Sequence, residues 1–562
     1  MKRPKVIIIA QNQPIDNDAH FRRKMINALT RAERQSPRFP NLDLPAIQKG
    51  VHENISKLIL NLDGRYMDLL DLMNFVKNDR RALKITSANV TQYYSLANSV
   101  TLNGIFLYQY LVAHGFDPII VQNYATVEIA DFLQEDPVAV CISSNFIYMN
   151  DIRDMAVQIK QFAPKTAVIA GGMLVKKALD PGDDLSPQAK GFFSTFCGKV
   201  DVFVIEAKGE QTLLRLLWAL VRGEENLESI PNLGLFDTKE RLVFTPRQSE
   251  EVLMDTTAIP WQDIPEGYLR TILPVNSSRG CFYRCRFCTY HWLFPEIHYK
   301  SIEVLREELR ALNSLGFVKH IRFTDDNFTA NRARLEAVLQ MIIKEGFSFS
   351  WSSFARAGSL TPELAKLMRL SGCEFVDLGL ESGSQTILDN MDKRLKVDQS
   401  IDAIKMLGDH GIYGRGSFII GYPGETAETF SETIEFINNS GLPYYQPYLF
   451  YYSGNTLVRQ ERDRFGLEGL GLAWRHNSMD AVGAARLMGE MLDRVDKSLT
   501  DGHTYVEEIY KLLRGEGYRP NEILALFGLK RELQLTIKRN ELKKPFPQNV
   551  EKILVEIGSL LR

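Results

Sequence analysis

Short β-branched runs alternate with amphipathic helical patterns in two separate series along this chain, and no other feature narrows the possible folds so far. The first series begins at Val6-Ile7-Ile8-Ile9-Ala10, a run of the kind that forms a strand buried on both faces. A polar, charged stretch from about residue 11 to residue 100 follows, with helical periodicity around 55–76, and reads as an insertion. Beyond it come a helix (104–114), strand (118–121), helix (128–134), strand (138–143), helix (155–162), two strands (167–170 and 202–205) and a helix (211–222). Strands and helices alternating at this length predict an α/β domain over 1–230. Its form is a doubly wound, Rossmann-like parallel sheet that binds ligands at the carboxyl ends of its strands. Residues 231–270 lack periodicity, carry Pro231, Pro246, Pro260 and Pro265, and read as a linker. From 271 to 455, six strand candidates (272–276, 320–323, 349–354, 375–380, 416–420 and 445–450) have a helical pattern in every gap. A closed eight-stranded barrel needs about 250 residues, so this span predicts a partial (β/α)6 barrel. Residues 456–562 read as a glycine-rich loop and a charged helical cap.

At about 150 residues per domain, 562 residues suggest three or four domains. A hydrophobic content of 45% and a charged content of 24% are ordinary for a soluble protein. The net charge of −2 gives no electrostatic case for nucleic acid or an anionic membrane. No apolar run reaches the ~18 residues that span a bilayer, and the run behind Met1-Lys2-Arg3 is too short for a signal peptide. A cytoplasmic location is expected.

Three of the six cysteines fall within eight residues, in the run Cys281-Phe-Tyr-Arg-Cys285-Arg-Phe-Cys288. Soft thiolates on one short loop are a metal site, and three of them leave a four-coordinate centre one ligand short. His291 follows three residues later, so a closed Cys3His zinc site is an alternative reading of the loop. Cys141, Cys197 and Cys373 sit in or beside apolar runs and read as buried thiols.

Polar and glycine residues gather where the strands of both series end. In the first series these are Ser143-Ser144-Asn145, Gly171-Gly172-Met173 and Glu206-Ala-Lys-Gly209-Glu210. A double glycine directly after a strand lets backbone approach a ligand closely. In the second series Thr324-Asp325-Asp326, Arg356, Glu381-Ser382-Gly383 and Gly421-Tyr-Pro-Gly-Glu425 follow successive strands, on the face where the cysteine loop also stands. Residues 444–455 hold five tyrosines, Tyr452 among them, at the expected barrel mouth. With His476 of the glycine-rich loop, Tyr452 is a candidate catalytic residue.

The C-x3-C-x2-C loop with Phe287 before its last cysteine resembles the signature of the radical S-adenosylmethionine (SAM) enzymes. The order of the strand-end segments is similar to that of the class with a cobalamin-binding domain. The resemblance covers roughly residues 100–455. It implies that Cys281, Cys285 and Cys288 hold a 4Fe-4S cluster whose fourth iron is open to SAM. It places Asp325, Asp326, Arg356, Glu381, Ser382 and Gly421 around SAM. Ser143, Ser144, Asn145, Gly171, Gly172, Met173, Gly209 and Glu210 are placed around cobalamin. The cobalt-ligating Asp-x-His-x-x-Gly motif is broken, because Arg23 follows Asp18-Ala-His20 where glycine belongs. An open lower face on the cobalt is therefore expected, with His20 a loop residue. The implied activity is methyl transfer from SAM by way of cobalamin to an unactivated carbon, or a phosphinate phosphorus, of a small molecule. An external donor such as flavodoxin or ferredoxin would supply electrons, and no nucleic acid or membrane partner is expected. A cyclase using the same cofactors without methyl transfer, and a cobalamin sensor with an inactive barrel, are the alternatives.

Overall fold

In a computed structural model of the chain, the described residues are 3–13, 46, 49–50, 53–54, 57–81, 85–86, 89–178, 187–251, 253–501, 506–537 and 541–562. The protein divides into two compact units. One comprises Met1–Ile15, Ala97–Gly280 and Trp292–Phe317, the other Asp16–Leu96, Cys281–His291 and Val318–Arg562. Among the described residues no helix is long and apolar enough to cross a membrane. The Asp18-Ala19-His20 triplet and Arg23 lie outside the described residues.

In the first unit, β1 (Lys5–Ile9), β2 (Asp117–Val121), β3 (Ala139–Ser143), β4 (Ala167–Gly171) and β5 (Val202–Val204) are parallel in the order β2-β1-β3-β4-β5. Period-2 alternation sorts their side chains onto two faces. Val6 and Ile8 of β1 join Cys141, Ile169 and Val202 in one core, which Leu213, Leu216 and Leu217 of helix Glu210–Val221 complete. Ile7 and Ile9 join Val140, Ile142 and Val168 in the other, under Ile152, Met155 and Ile159 of helix Met149–Phe162. With apolar helices on both faces, the strands have no solvent side, which is why they read as unbroken hydrophobic runs.

Two strands that the sequence did not reveal extend the sheet. β6 (Leu233–Phe236) and β7 (Leu242–Phe244) run antiparallel beyond β5, inside the stretch that reads as a linker. Four and three residues are too few to display a period. Next along the chain, β8 (Ile272–Val275) forms where the first barrel strand was expected.

In the second unit, β9 (His320–Phe323), β10 (Ser350–Ala355), β11 (Cys373–Glu381), β12 (Tyr413–Ile420) and β13 (Tyr444–Leu449) each pair in parallel with the next. Helices Arg332–Glu345, Pro362–Leu370, Val397–Asp409 and Ala427–Asn439 fill the gaps. Asn331, Thr361 and Thr426 start three of them, each side chain accepting a first-turn amide. This is the α/β architecture with a parallel core expected from the alternation.

The described part of the stretch that reads as an insertion packs in this second unit. Its hairpin (Leu60–Leu62 and Arg65–Met67) and helix Leu69–Lys77 share one core with helices Val506–Gly515, Pro520–Ile537 and Gln548–Leu560. Buried Lys530 pairs with Asp501 and donates to the Leu58 carbonyl at 2.8 Å, while Asp501 accepts the Leu69 amide at 3.1 Å. The helical periodicity around 55–76 thus corresponds to a helix only over Leu69–Lys77, because Leu60–Leu62 and Arg65–Met67, three residues each, form a hairpin too short to show its own period.

Charge runs through the strands of this unit. Arg322 of β9 bonds Asp377 of β11 at 2.9 Å, Arg415 of β12 pairs with the same carboxylate, and both arginines pair with Glu507 of helix Val506–Gly515. All four are buried. Burial works against the charge on Glu507, but Arg322, Lys511 and Arg415 outweigh it and hold the carboxyl below its usual range. Removing one partner of a buried ionic group leaves an uncompensated charge, at a cost of about 3–5 kcal/mol. Arg415→Met is therefore expected to lower the stability of the second unit by that amount, read as an earlier urea-unfolding midpoint. Arg415→Lys should recover part of it.

Candidate active site

The cysteine loop is fastened at its middle. Arg286 donates its amide to the Met391 carbonyl at 2.9 Å and Nη1 to Asn390 at 3.1 Å, accepts the Val458 amide at 2.9 Å, and pairs with Glu461 at 2.7 Å. Cys285 and Cys281 both raise the Cys288 thiol, after burial, which pushes it up to about 12; burial likewise raises Cys281. Buried thiols so disposed become thiolates when a metal supplies the compensating charge. Each sulfur already has an N–H group beside it: Tyr290 N at 3.4 Å from Cys288, Arg356 Nη1 at 3.7 Å from Cys285, and Asn327 Nδ2 at 4.0 Å from Cys281.

A single zinc ion would need its ligands on one sphere of about 2.3 Å radius. Among the described residues, no three His, Cys, Asp or Glu side chains are placed to hold one ion. Three thiols with donors at their sulfurs are the donor set an iron–sulfur cluster takes.

The strand ends bring the other expected residues to the second unit. Tyr290, pushed well up by burial and by Asp326, hydrogen-bonds that carboxylate. Asp325 and Arg356 are buried, and the Arg356 guanidinium lies 3.8 Å from the centre of the Tyr283 ring. Glu381 sits at φ +70° beside a register irregularity between Gly379 and Glu381. Its carboxylate meets Lys393 Nζ at 3.1 Å and accepts from Ser417 at 3.3 Å. Any Cβ on Gly379 would stand 2.7 Å from Glu381 Oε1, so glycine there makes room for the ion pair.

Ser382 is engaged locally: its hydroxyl meets Thr433 Oγ1 at 3.1 Å and accepts the Ser384 amide at 3.1 Å. Some polar atoms of the second unit stay without a partner among the described residues, on Arg356, which the sequence singled out, and on two serines, which it did not. Among the described residues, the buried hydroxyls of Ser353 and Ser384 have no hydrogen-bond partner, and neither has Arg356 Nη2. Ser384 directly follows the Glu381-Ser382-Gly383 turn, whereas Ser353 lies within β10, where no short motif announces it.

In the first unit, the named turn residues largely bind one another. Ser144 Oγ accepts the Val175 amide at 3.2 Å and Asn145 Oδ1 accepts the Met173 amide at 2.9 Å. A Cβ on Gly172, at φ +107°, would stand 2.7 Å from Asn145 Oδ1 and 3.0 Å from Ser144 Oγ. Gly171 and Gly209 both pack on Val204. Glu210 pairs with Arg279 at 2.8 Å. The ends of β1 and β3, where the strand order reverses, are bridged by Asn103: Nδ2 donates to Ser143 Oγ at 2.7 Å and to the Ala10 carbonyl at 3.3 Å. Its Oδ1 and the Thr101 hydroxyl are buried and lack partners among the described residues. Such reversal points are where doubly wound sheets bind ligands.

The two candidate catalytic residues are built into the loop. His476 is buried and stacked on Trp474, with Nε2 at 3.2 Å from the Gly421 carbonyl and Nδ1 at 3.1 Å from Ser478 Oγ. Both ring nitrogens are occupied within the protein, the arrangement of a clamp on the β12 turn. Tyr452 is buried, stacked on Phe450, and paired through its backbone with Gly471.

Residues 275–437 match the model of the Radical SAM superfamily, so the chain carries a radical SAM domain. An uncharacterized methyltransferase of Pyrococcus horikoshii is 34% identical over 256 residues, 44% of this chain and 55% of that protein. An anaerobic magnesium-protoporphyrin IX monomethyl ester cyclase of Rubrivivax gelatinosus is 26% identical over 241 residues, 41% of this chain and 43% of that one. The chain spans about half the length of these curated relatives. Among solved structures, the radical SAM methyltransferase TsrM of Kitasatospora setae, with tryptophan substrate and a SAM analogue bound, has the same fold. The TM-score is 0.59 at 14% identity, over 78% of this chain and 97% of that one.

Glu425 gives the site a pH signature. Burial pushes its carboxyl from 4.5 up to about 8, against the pull of the Gly421 amide, which donates to Oε2 at 2.5 Å. A folded pKa above the unfolded one means that its stabilisation is whole below about pH 4.5 and is lost as pH rises through about 8. Glu425→Gln keeps an acceptor for Gly421 without the charge. It is expected to flatten that decline, so that thermal unfolding scans between about pH 5 and 9 separate the two proteins at the alkaline end.

Proposed function

We propose that the protein is a cobalamin-dependent radical SAM methyltransferase that methylates an unactivated carbon of a small molecule. The observation that carries the reading is the cysteine loop, three thiols, Cys285 buried and the other two half-buried, each met by an N–H donor, within a matched radical SAM domain. When bound, the cluster and SAM supply radical chemistry and cobalamin supplies a methyl relay. The chain's own part is to hold and orient. Cys281, Cys285 and Cys288 would ligate three irons and leave one position for SAM. Arg356 Nη2, Ser353 and Ser384 offer unpartnered polar atoms to SAM, and the Glu381–Lys393 pair offers charge. Asn103 Oδ1 and Thr101 at the β1/β3 reversal, near the Ser144-Asn145 and Gly172 turn, suit an amide-rich ligand such as a corrin. Methyltransferases among the relatives and in the fold comparison support this reading. An external one-electron donor and a cytoplasmic setting belong to it.

A second reading, a cyclase without methyl transfer, is supported by the similarity to the Rubrivivax gelatinosus cyclase. Anaerobic reconstitution decides between them. The wild-type chain should take up about four irons, each single Cys→Ala variant at 281, 285 or 288 should fail to, and cleavage of SAM to 5′-deoxyadenosine should follow the iron. Turnover of substrate should yield S-adenosylhomocysteine and 5′-deoxyadenosine in similar amounts. 5′-Deoxyadenosine with no S-adenosylhomocysteine and no gain of a methyl mass would favour the cyclase, and one zinc with no iron would end both. Gly172→Val, which drives side-chain carbon into Ser144 and Asn145, should reduce cobalamin retention while iron content stays near wild type.

A further inference from the structure

The N–H groups that meet the three cysteine sulfurs come from three places, and two of them share a buried anchor. Thr329 Oγ1 lies 3.0 Å from Asn327 Oδ1 and 3.0 Å from the Arg356 amide nitrogen. A main-chain N–H can only donate, so the hydroxyl oxygen accepts from Arg356 and its single proton goes to Asn327 Oδ1. A thiolate at Cys281 can only accept, so Asn327 turns Nδ2 toward the sulfur and leaves Oδ1 toward the Thr329 hydroxyl. The same hydroxyl fixes the main chain of Arg356, whose guanidinium rests on the Tyr283 ring and reaches Cys285. Asn327, Thr329 and Arg356 are 6%, 2% and 7% exposed, so water screens none of these contacts effectively.

We propose that Thr329 is a positioning residue that aims Asn327 and Arg356 at two of the three cysteine sulfurs, and that this pair sets the reduction potential of the cluster those sulfurs hold. The inference rests on the cluster assignment made under the proposed function. Reduction by one electron increases the negative charge shared by the sulfurs. N–H donors and a nearby guanidinium stabilise the reduced form more than the oxidised one and so raise the potential. Arg356 brings a full charge at the shorter distance and should dominate. Asn327, neutral and farther away, contributes less.

The test uses the full chain, reconstituted anaerobically without SAM. The midpoint of the one-electron cluster couple is read by a redox titration followed by electron paramagnetic resonance. Arg356→Gln removes the charge and should shift the one-electron equilibrium at least tenfold toward the oxidised form, a fall of about 59 mV. Arg356→Lys should fall less. Thr329→Val has nearly the same shape and Thr329 touches no sulfur, yet it should lower the midpoint in the same direction, and Thr329→Ser should restore it. A general loosening of the fold would instead lower iron content and thermal stability without ordering the midpoints in this way. A Thr329→Val chain that keeps its iron at an unchanged midpoint overturns the proposal, as does a deficit that Thr329→Ser fails to restore. These two variants decide the matter even if Arg356→Gln does not retain a cluster. If the wild-type chain takes up no iron, the cluster assignment itself falls, which distinguishes that failure from this one.

Discussion

Charge buried among strands must be balanced group for group, and the second unit depends on that balance. Arg322, Asp377 and Arg415 come from three parallel strands, and the fourth member, Glu507, comes from a helix about a hundred residues farther along the chain. Without Glu507 the two guanidiniums would share one carboxylate in a region water does not reach. The C-terminal helices are therefore part of the strand core's electrostatics, and the segment from Leu60 onward is held through them. A similar economy governs the strand ends: Glu381 is matched by Lys393, and Glu425 is pushed toward its neutral form by burial.

Within each unit, polar atoms already satisfied by the protein stand alongside others left open. Ser382, Ser144, Asn145 and His476 spend their hydrogen bonds on turns and loops. Ser353, Ser384, Arg356 Nη2 and Asn103 Oδ1 remain unpartnered among the described residues. A buried polar atom without a partner in the protein is costly, so each of these marks a position where a ligand could pair with it.

Much of this was legible in the chain. In the first unit the parallel strands were legible because the sheet is covered on both faces, which writes itself into sequence as continuous apolar runs; in the second, the helical pattern in every gap marked the strands between. The cysteine loop was legible because soft ligands at short spacing have few other uses. What escaped was long-range or side-chain-specific. β6 and β7 are too short to show a period, and nothing local joins Leu69–Lys77 to helices beyond residue 505. In the first unit the sequence offered a reason for the double glycine, close approach to a ligand, but not the second one that side-chain packing supplies. In the fold, Gly172 is glycine because Ser144 and Asn145 already fill the volume a Cβ would need.

The borders of the seven-stranded sheet carry a last consequence. β2, at one margin, contains Pro118, which has no N–H to offer a newcomer, and β7, at the other, is three residues long. Both margins are poor templates for further strand addition. Folded copies thus have little means of zipping together margin to margin, although the interior strands of this sheet are apolar enough to aggregate if released. Protection against self-association in this unit is a property of the completed sheet, acquired only when the outermost strands take their places.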